Sequence, residues 1–334
     1  MSTGWPAALA EGWHPVALLD ELPRNAPLAR TLMGVPLVLF AGKTGPAILH
    51  DACPHRGLPL STGRLSGGAL RCAYHGWQFG EDGRCLGLAG STQVPAAAAR
   101  RFPAVTRDGL LWTSLVADPP SFPSLPASLS DPARDGFWWS PGPSTARILD
   151  AVENLLDPAH PHFLHAGLVR SGRQRRPVRV TVTLGPDGAE AIYHEDARAQ
   201  AWIPRLLEGH RLRSIGRYLP PATGQLAFEG PSGLELAITV MFSPEERDRT
   251  RPFAHFSTRK GLLPAWLKRT LLLALHHPVV AQDRRILALQ AQSVDRLGGA
   301  RFAVGPLDFL GPAIWRLANG EAQPEESYEV SVDL

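Results

Sequence analysis

Cys53-Pro54-His55-Arg56-Gly57 and Cys72-Ala73-Tyr74-His75-Gly76-Trp77 decide how the N-terminal part of this chain is read. Their spacing is C-x-H, sixteen residues, then C-x2-H. Two thiols and two imidazoles suit a tetrahedral zinc site. They equally suit a [2Fe–2S] cluster with two thiolates on one iron and two imidazoles on the other. Each half pairs one Cys with one His, whereas zinc fingers usually pair Cys with Cys and His with His. Glycine follows each half and lets backbone N–H groups approach sulfide. These details favour the cluster. Cys85 falls outside the spacing and reads as a small apolar filler.

The surrounding sequence reads as a small all-β domain. Val35–Phe40 and Ala47–His50 are compact apolar runs, and glycines recur from Gly57 to Gly90 as turn signals. Seven prolines between Pro119 and Pro143 mark a change of character, which places a domain boundary at about 118: domains 1–118 and 119–334. In the second domain, Val178, Val180, Val182 and Leu184 alternate with polar residues, and Gly185-Pro186-Asp187-Gly188 turns the chain into Ala189–Glu195. A second hairpin joins Gln225–Glu229 to Leu234–Phe242. Pro264 opens a helix to His276, Pro278 interrupts it, and a second helix runs to about Leu297. Tyr328–Val332 is a short terminal strand.

The segment from Glu153 to His165 holds Asp157, His160, His162 and His165. Asp157 and His160 share a face if helical. His160 and His165 diverge on an ideal helix, and Pro161 breaks that helix to bring His165 round. Two imidazoles lack one carboxylate to complete a two-His, one-carboxylate iron site with open positions for oxygen and substrate. The late helix offers Asp283 at the head of a face with Ile286, Leu287, Gln290, Val294 and Leu297. An Asp leading an apolar face is costly unless paired or metal-bound. It can also be an ordinary helix-start acid facing the macrodipole, and the helix alone does not choose between them. Asp295 is the next carboxylate along. For Asp157 the plain alternative is a helix-start Asp followed by Pro158 at the first helical position.

Composition excludes other classes. Hydrophobic residues are 44%, charged residues 19%, and the formal net charge is +3. A disordered acidic chain and a nucleic-acid binder are therefore not expected. Three cysteines exclude a disulfide scaffold. The first residues carry Glu11, Asp20 and Glu21 without an apolar run, which argues against a signal or transit peptide. Apolar stretches such as Leu271–Leu275 are too short to span a bilayer. The expectation is a cytoplasmic protein. A glycine fingerprint for nucleotide binding is missing, so electrons are expected from a partner. The run Arg170, Arg173, Arg175, Arg176 and Arg179 is either a docking patch for an acidic donor or a solvated edge.

Cys53, His55, Cys72 and His75 resemble, residue by residue, the cluster motif of Rieske proteins. Asp157, His160 and His165 resemble the D-x2-H-x4-H motif of the catalytic subunits of Rieske non-haem iron oxygenases, and Asp283 in Ala281-Gln282-Asp283-Arg284 is similar to their distal carboxylate. The resemblance covers nearly the whole chain. It implies an α+β protein: an N-terminal all-β Rieske domain and a helix-grip catalytic domain, an antiparallel sheet facing iron-bearing helices. It implies a [2Fe–2S] cluster on Cys53, His55, Cys72 and His75, and mononuclear Fe(II) on His160, His165 and Asp283. His162 is left without a ligand role. In length the chain resembles the compact subunits that work without a small partner subunit, such as dicamba, vanillate, toluenesulfonate and phthalate-type oxygenases, which implies a homotrimer in which Asp157 bridges His75 of one subunit and His160 of the next. The implied activity is hydroxylation of a small aromatic or alicyclic substrate, by dihydroxylation or monooxygenation, with O₂ and electrons from a reductase or ferredoxin. The different-class alternative is an electron-transfer Rieske protein without an oxygenase site.

Overall fold

The computed structural model describes residues 4–169, 177–194 and 211–334. They form two compact units. The first holds 4–5, 10–122 and 243–247; the second holds 6–9, 123–242 and 248–334. The composition change alone places one cut at about 118. The units part at 122 instead, and a short segment far along the chain joins the first.

The first unit is built of three small antiparallel sheets. One contains Leu28–Leu32, Val35–Ala41, Pro46–His50 and Arg101–Phe102; the next, Arg64–Ser66, Ala69–Arg71, Gln78–Phe79 and Cys85–Gly87; the third, His14–Leu18, Leu110–Thr113 and Val105–Arg107. Val35–Ala41 explains why this sequence forms a β-core. Its side chains alternate between faces, and both faces are covered. Leu37 and Leu39 pack with Val16, Ile48, Phe102 and Leu111. Val38 and Phe40 pack with Leu49, Leu60, Leu70 and Phe79. Each fully buried aliphatic or aromatic side chain is worth about 1.5–3 kcal/mol in area removed from water. An apolar run buried on both sides is what an unbroken Val-Pro-Leu-Val-Leu-Phe sequence supplies.

The second unit is a nine-stranded sheet among the described residues. In order across it run Arg134–Trp139, Arg249–Arg259, Gly233–Glu246, Thr223–Gly230, Arg213–Leu219, Gly188–His194, Pro177–Gly185 and Glu326–Asp333, with Ser144–Thr145 also paired to Arg249–Arg259. Both expected hairpins are present. Val180 faces Tyr193 and Val182 faces Ala191 in the first; Leu226 faces Ile238 in the second. The terminal strand pairs with Pro177–Gly185. The α+β class and the sheet-with-helices layout of the second unit are as expected.

Helices cover the sheet. Ile148–Leu156 lies on the strands Thr223–Gly230 and Arg213–Leu219, Gly311–Ala318 lies on Gly188–His194, and Ala265–Arg296 lies on Arg134–Trp139 and Ser144–Thr145. Gly224 permits the first of these contacts: a Cβ there would sit 2.7 Å from Leu155 Cδ2 and 3.6 Å from Leu156 Cδ2.

Two expectations about the late helices fail. Pro278 does not interrupt them; one helix runs through it from Ala265 to Arg296. A proline removes a single backbone hydrogen bond and crowds one carbonyl. Buried residues on both sides of it, Leu272 before and Leu287, Ala291 and Val294 after, hold the helix by packing. The apolar face is also narrower than the spacing suggested. Leu287, Ala291 and Val294 are buried, but Ile286 and Leu297 are exposed. Asp283 lies one turn before Leu287 on the buried stripe.

Candidate metal centres

Cys53 and Cys72 open two loops with matching backbone bonds in the first unit. In one, Cys53 N–H donates to Leu58 O and Gly57 N–H to Cys53 O; in the other, Cys72 N–H donates to Trp77 O and Gly76 N–H to Cys72 O. Gly57 and Gly76 share φ +71°, a left-handed conformation that favours glycine. That is the local reason for the glycine after each half of the motif. The first loop is further fastened by Asp51, whose carboxylate accepts from Ser61 N–H at 2.7 Å and Ser61 Oγ–H at 2.6 Å.

Both cysteines are buried, and Leu60, Leu70 and Phe79 pack with them. His75 is exposed. The His55 and His75 rings meet edge to face with centroids 4.6 Å apart, and His55 stacks on Trp77 at 4.8 Å. Burial pushes the Cys53 thiol pKa up, with Cys72 beside it adding to the rise. Desolvation and the nearby His75 and Arg56 hold His55 below its ordinary value. His55 Nδ1 is buried without a hydrogen-bond partner among the described residues. Paired buried sulfurs, a neutral imidazole with an orphaned nitrogen and a second imidazole alongside fit a [2Fe–2S] group. Cys85 lies in the same apolar core, its Sγ 3.6 Å from Gly87 O.

In the second unit, His160, His165 and Asp283 converge, with one donor atom from each lying within 4.8 Å of the others. Asp283 Oδ1 is 3.0 Å from His165 Nε2 and 3.7 Å from His160 Nε2. The opposite nitrogen of each ring is committed elsewhere. His160 Nδ1 is 3.0 Å from the carbonyl oxygen of Asp157, and His165 Nδ1 is 2.8 Å from Gln282 Oε1. Both acceptors are oxygens, so each Nδ1 carries a proton and each Nε2 is left on the side of Asp283, where its lone pair would be available to a metal held among the three donors. Oxygens that accept from the far ring nitrogen in this way fix the orientation of metal-binding imidazoles. Asn154 Nδ2 donates to Asp283 Oδ1 at 3.1 Å and steadies the carboxylate. Burial pulls the His160 pKa down despite the nearby Asp283 and Asp157. Burial also opposes the charge on His165, but bonds to Asp283 and Gln282 and the charge of Asp283 raise its pKa overall. The donor set and its orientation fit a mononuclear iron site.

The chain path differs in detail from the expected one. Helix Ile148–Leu156 ends with Asp157 as its C-cap, and His160–Phe163 is a separate short helix that contains Pro161. The turn that aims His160 therefore comes before it, at Asp157-Pro158-Ala159, and His165 follows the end of the short helix. Asp157 is not a helix-start cap. Its Oδ1 accepts from Ala159 N–H at 2.6 Å, and its Oδ2 stands 3.8 Å from His160 Nδ1. His162 does not belong to the three-donor cluster. Asp295 is exposed three turns beyond Asp283. Arg179 is exposed, whereas Arg170, Arg173, Arg175 and Arg176 lie outside the described residues. Gln282 and Asn154 were not singled out from sequence. Adjacent helical residues do not share a face, so nothing marked Gln282 as a partner beside Asp283.

A cavity of about 220 Å³ adjoins the three donors. Alternate residues of the sheet strands wall it: Leu226 and Phe228, Ile238 and Val240, Ala254 and Phe256. Trp139, Arg211 and His276 add to the wall.

Residues 12–98 match the Rieske [2Fe–2S] domain, and residues 145–305 match the vanillate O-demethylase oxygenase C-terminal domain. The chain belongs to the Rieske oxygenases, in the group whose C-terminal domain is of the vanillate O-demethylase type. It is 36% identical over 160 residues to the oxygenase component of dicamba O-demethylase from Stenotrophomonas maltophilia, covering 46% of each chain. To chloroplastic TIC 55 of Arabidopsis thaliana it is 34% identical over 281 residues, 77% of this chain and 49% of that one. To the oxygenase component of Rhodococcus rhodochrous 3-ketosteroid-9-alpha-monooxygenase it is 30% identical over 168 residues, 48% and 42%. The chain thus spans about half the length, or less, of the curated relatives it matches. The crystal structure of dicamba monooxygenase bound to dicamba shares the fold, with a TM-score of 0.81 at 23% identity over 93% of this chain and 97% of that one. Among the described residues, no helix is long and apolar enough to cross a membrane.

Proposed function

We propose that this chain is the terminal oxygenase component of a multi-protein system, inserting one oxygen atom from O₂ into a small ring-bearing substrate, by hydroxylation or demethylation. The observation that carries the reading is the placement of His160, His165 and Asp283 beside an apolar cavity within one unit. A pure electron carrier has no use for such a site. The dicamba and vanillate names among the matches favour monooxygenation over cis-dihydroxylation.

When bound, the [2Fe–2S] group supplies single electrons and the mononuclear iron supplies O₂ activation. Cys53, His55, Cys72 and His75 would hold the first; His160, His165 and Asp283 would hold the second. The chain's other residues position and exclude. Gln282 and the Asp157 carbonyl fix the imidazole tautomers, and Asn154 orients Asp283. The apolar wall keeps water from the reacting face and aligns substrate by shape. A volume of about 220 Å³ lies below the usual 300–1,000 Å³ of small-molecule pockets. It suits a single ring rather than a large macrocycle.

We infer a homotrimer in which Asp157 carries electrons from the cluster of one subunit to the iron of its neighbour, linking His75 and His160. Electrons come from NAD(P)H through a separate reductase, with or without a ferredoxin. The setting is the cytoplasm, where thiols stay reduced; Cys53, Cys72 and Cys85 are all unpaired. Breakdown of aromatic compounds is the corresponding role. Iron analysis with coupled oxygen uptake tests the reading. Three irons per chain and substrate-dependent uptake are expected; two irons and no uptake would leave an electron carrier.

A further inference from the structure

His276 forms part of the cavity wall, on the same helix as Asp283. Its Nδ1 lies 2.8 Å from the carbonyl oxygen of Leu272. A carbonyl only accepts, so Nδ1 carries the proton and Nε2 the lone pair. Burial lowers the pKa of this imidazole, against the opposing bond to Leu272, and keeps it neutral. The ring meets Phe256 edge to face with centroids 4.8 Å apart, which holds its plane. Nδ1 faces back to the helix backbone, so Nε2 on the far side of the ring faces away from it. Among the described residues Nε2 has no hydrogen-bond partner. The residue is half-buried and lines the cavity, and Nε2 is not among the fully buried unpartnered atoms, so this acceptor is open and available to an occupant.

The helix also sets a length. His276 and Asp283 are seven residues apart on continuous helix, so they share a side, two turns and about 10 Å apart along the axis. A hydrogen bond at one end takes up about 3 Å. Allowing a similar approach at the other leaves roughly 4–5 Å, the reach of one six-membered ring with a substituent.

We propose that His276 is a specificity-determining residue: its Nε2 accepts a hydrogen bond from a hydroxyl or ring N–H of a neutral single-ring substrate, and so presents the opposite end of the ring to His160, His165 and Asp283. The inference rests on the oxygenase reading and names the substrate class for the same site. Arg211, whose guanidinium lies 3.9 Å over the Phe228 ring, marks the competing occupant, an anionic ring compound.

Equilibrium dialysis of the intact holoprotein without O₂ or reductant separates these cases. The probes are 4-methoxyphenol, 1,4-dimethoxybenzene and 4-methoxybenzoate. Wild type should bind 4-methoxyphenol about tenfold more tightly than 1,4-dimethoxybenzene, in line with one hydrogen bond to a half-buried acceptor. The preference should vanish in His276→Phe and return in part in His276→Gln, whose Oε1 accepts. His276→Leu replaces the phenylalanine variant if that one does not fold, as judged by circular dichroism and cluster absorption. An unchanged preference in His276→Phe or His276→Leu overturns the proposal, as does failure of wild type to bind 4-methoxyphenol. Tightest binding of 4-methoxybenzoate, lost in Arg211→Gln, overturns it in favour of an anionic substrate. Iron content and oxygen uptake are read on the same preparations. A missing third iron with the phenol preference intact rejects the oxygenase reading and leaves the binding role of His276 standing. Three irons with substrate-dependent uptake but no phenol preference reject the role of His276 alone.

Discussion

Asp283 Oδ1 lies 3.0 Å from His165 Nε2, although 117 residues separate the two in the chain. Gln282, next to Asp283, holds the other nitrogen of the same ring. The long helix therefore grips His165 from both sides of its imidazole. Only its 2% exposure makes this grip strong, because water would otherwise compete for both nitrogens.

Asp283→Ala should lower iron from three to two per chain and abolish substrate-dependent oxygen uptake, while the visible absorption of the cluster persists. His160→Ala and His165→Ala should behave alike. Asn154→Ala, which removes only the bond to Asp283, should weaken iron affinity by roughly 10–100-fold without preventing its binding. Metal titration monitored by elemental analysis checks the series, and retained iron in Asp283→Ala would mean that another carboxylate is the ligand.

Cys85→Ser should keep a normal cluster spectrum, because its sulfur faces Gly87 O within the apolar core. Cys53→Ser and Cys72→Ser should lose the spectrum, since a serine hydroxyl does not supply thiolate ligation. Absorption and electron paramagnetic resonance of the purified proteins decide this.

Asp157 lends itself to a two-variant test. Its Oδ1 caps the turn at Ala159, and its charge is what an electron bridge would need. Asp157→Asn keeps the accepting oxygen and should retain stability yet slow single-turnover reoxidation of the cluster sharply. Asp157→Ala should also lose about 0.5–1.5 kcal/mol of stability, as for one lost side-chain hydrogen bond. Normal reoxidation in both would confine Asp157 to the turn.

His255 is one acid-sensitive point of the second unit. Burial holds its pKa at about 4, below the ordinary 6.5, and its Nδ1 has no partner among the described residues. The unfolded chain takes up the proton first. Stability is thus full above about pH 6.5 and declines as pH falls toward 4, by at most about 3 kcal/mol. His255→Gln should flatten that part of the profile. Denaturant melts at pH 7.5 and 4.5 measure the difference, and equal slopes in both proteins would place the sensitivity elsewhere.

Gly224→Ala should destabilise the second unit by about 1–3 kcal/mol through overpacking, because the new Cβ meets Leu155 Cδ2 at 2.7 Å. Thermal melts check the cost, and Leu155→Ala in the same chain should relieve part of it.

Sequence by itself determined the features that live in short spans. The C-x-H and C-x2-H loops, the alternating strand Val178–Leu184 with its Gly-Pro-Asp-Gly turn, and the cluster of Asp157, His160 and His165 are all legible locally. Their residue types and spacings follow turn geometry, the two-residue strand period and the donor groups that a metal site would use. Tertiary structure decided what depends on packing across distance. It carried one helix through Pro278, exposed Ile286 and Leu297, and placed Gln282 and Asn154 as partners of His165 and Asp283. It also made His276 a cavity wall. Helical periodicity names a face but not what lies opposite it. Burial of Leu272, Leu287, Ala291 and Val294 outweighs the proline's missing hydrogen bond, and the energy that settles these points lies in contacts between segments far apart in the chain.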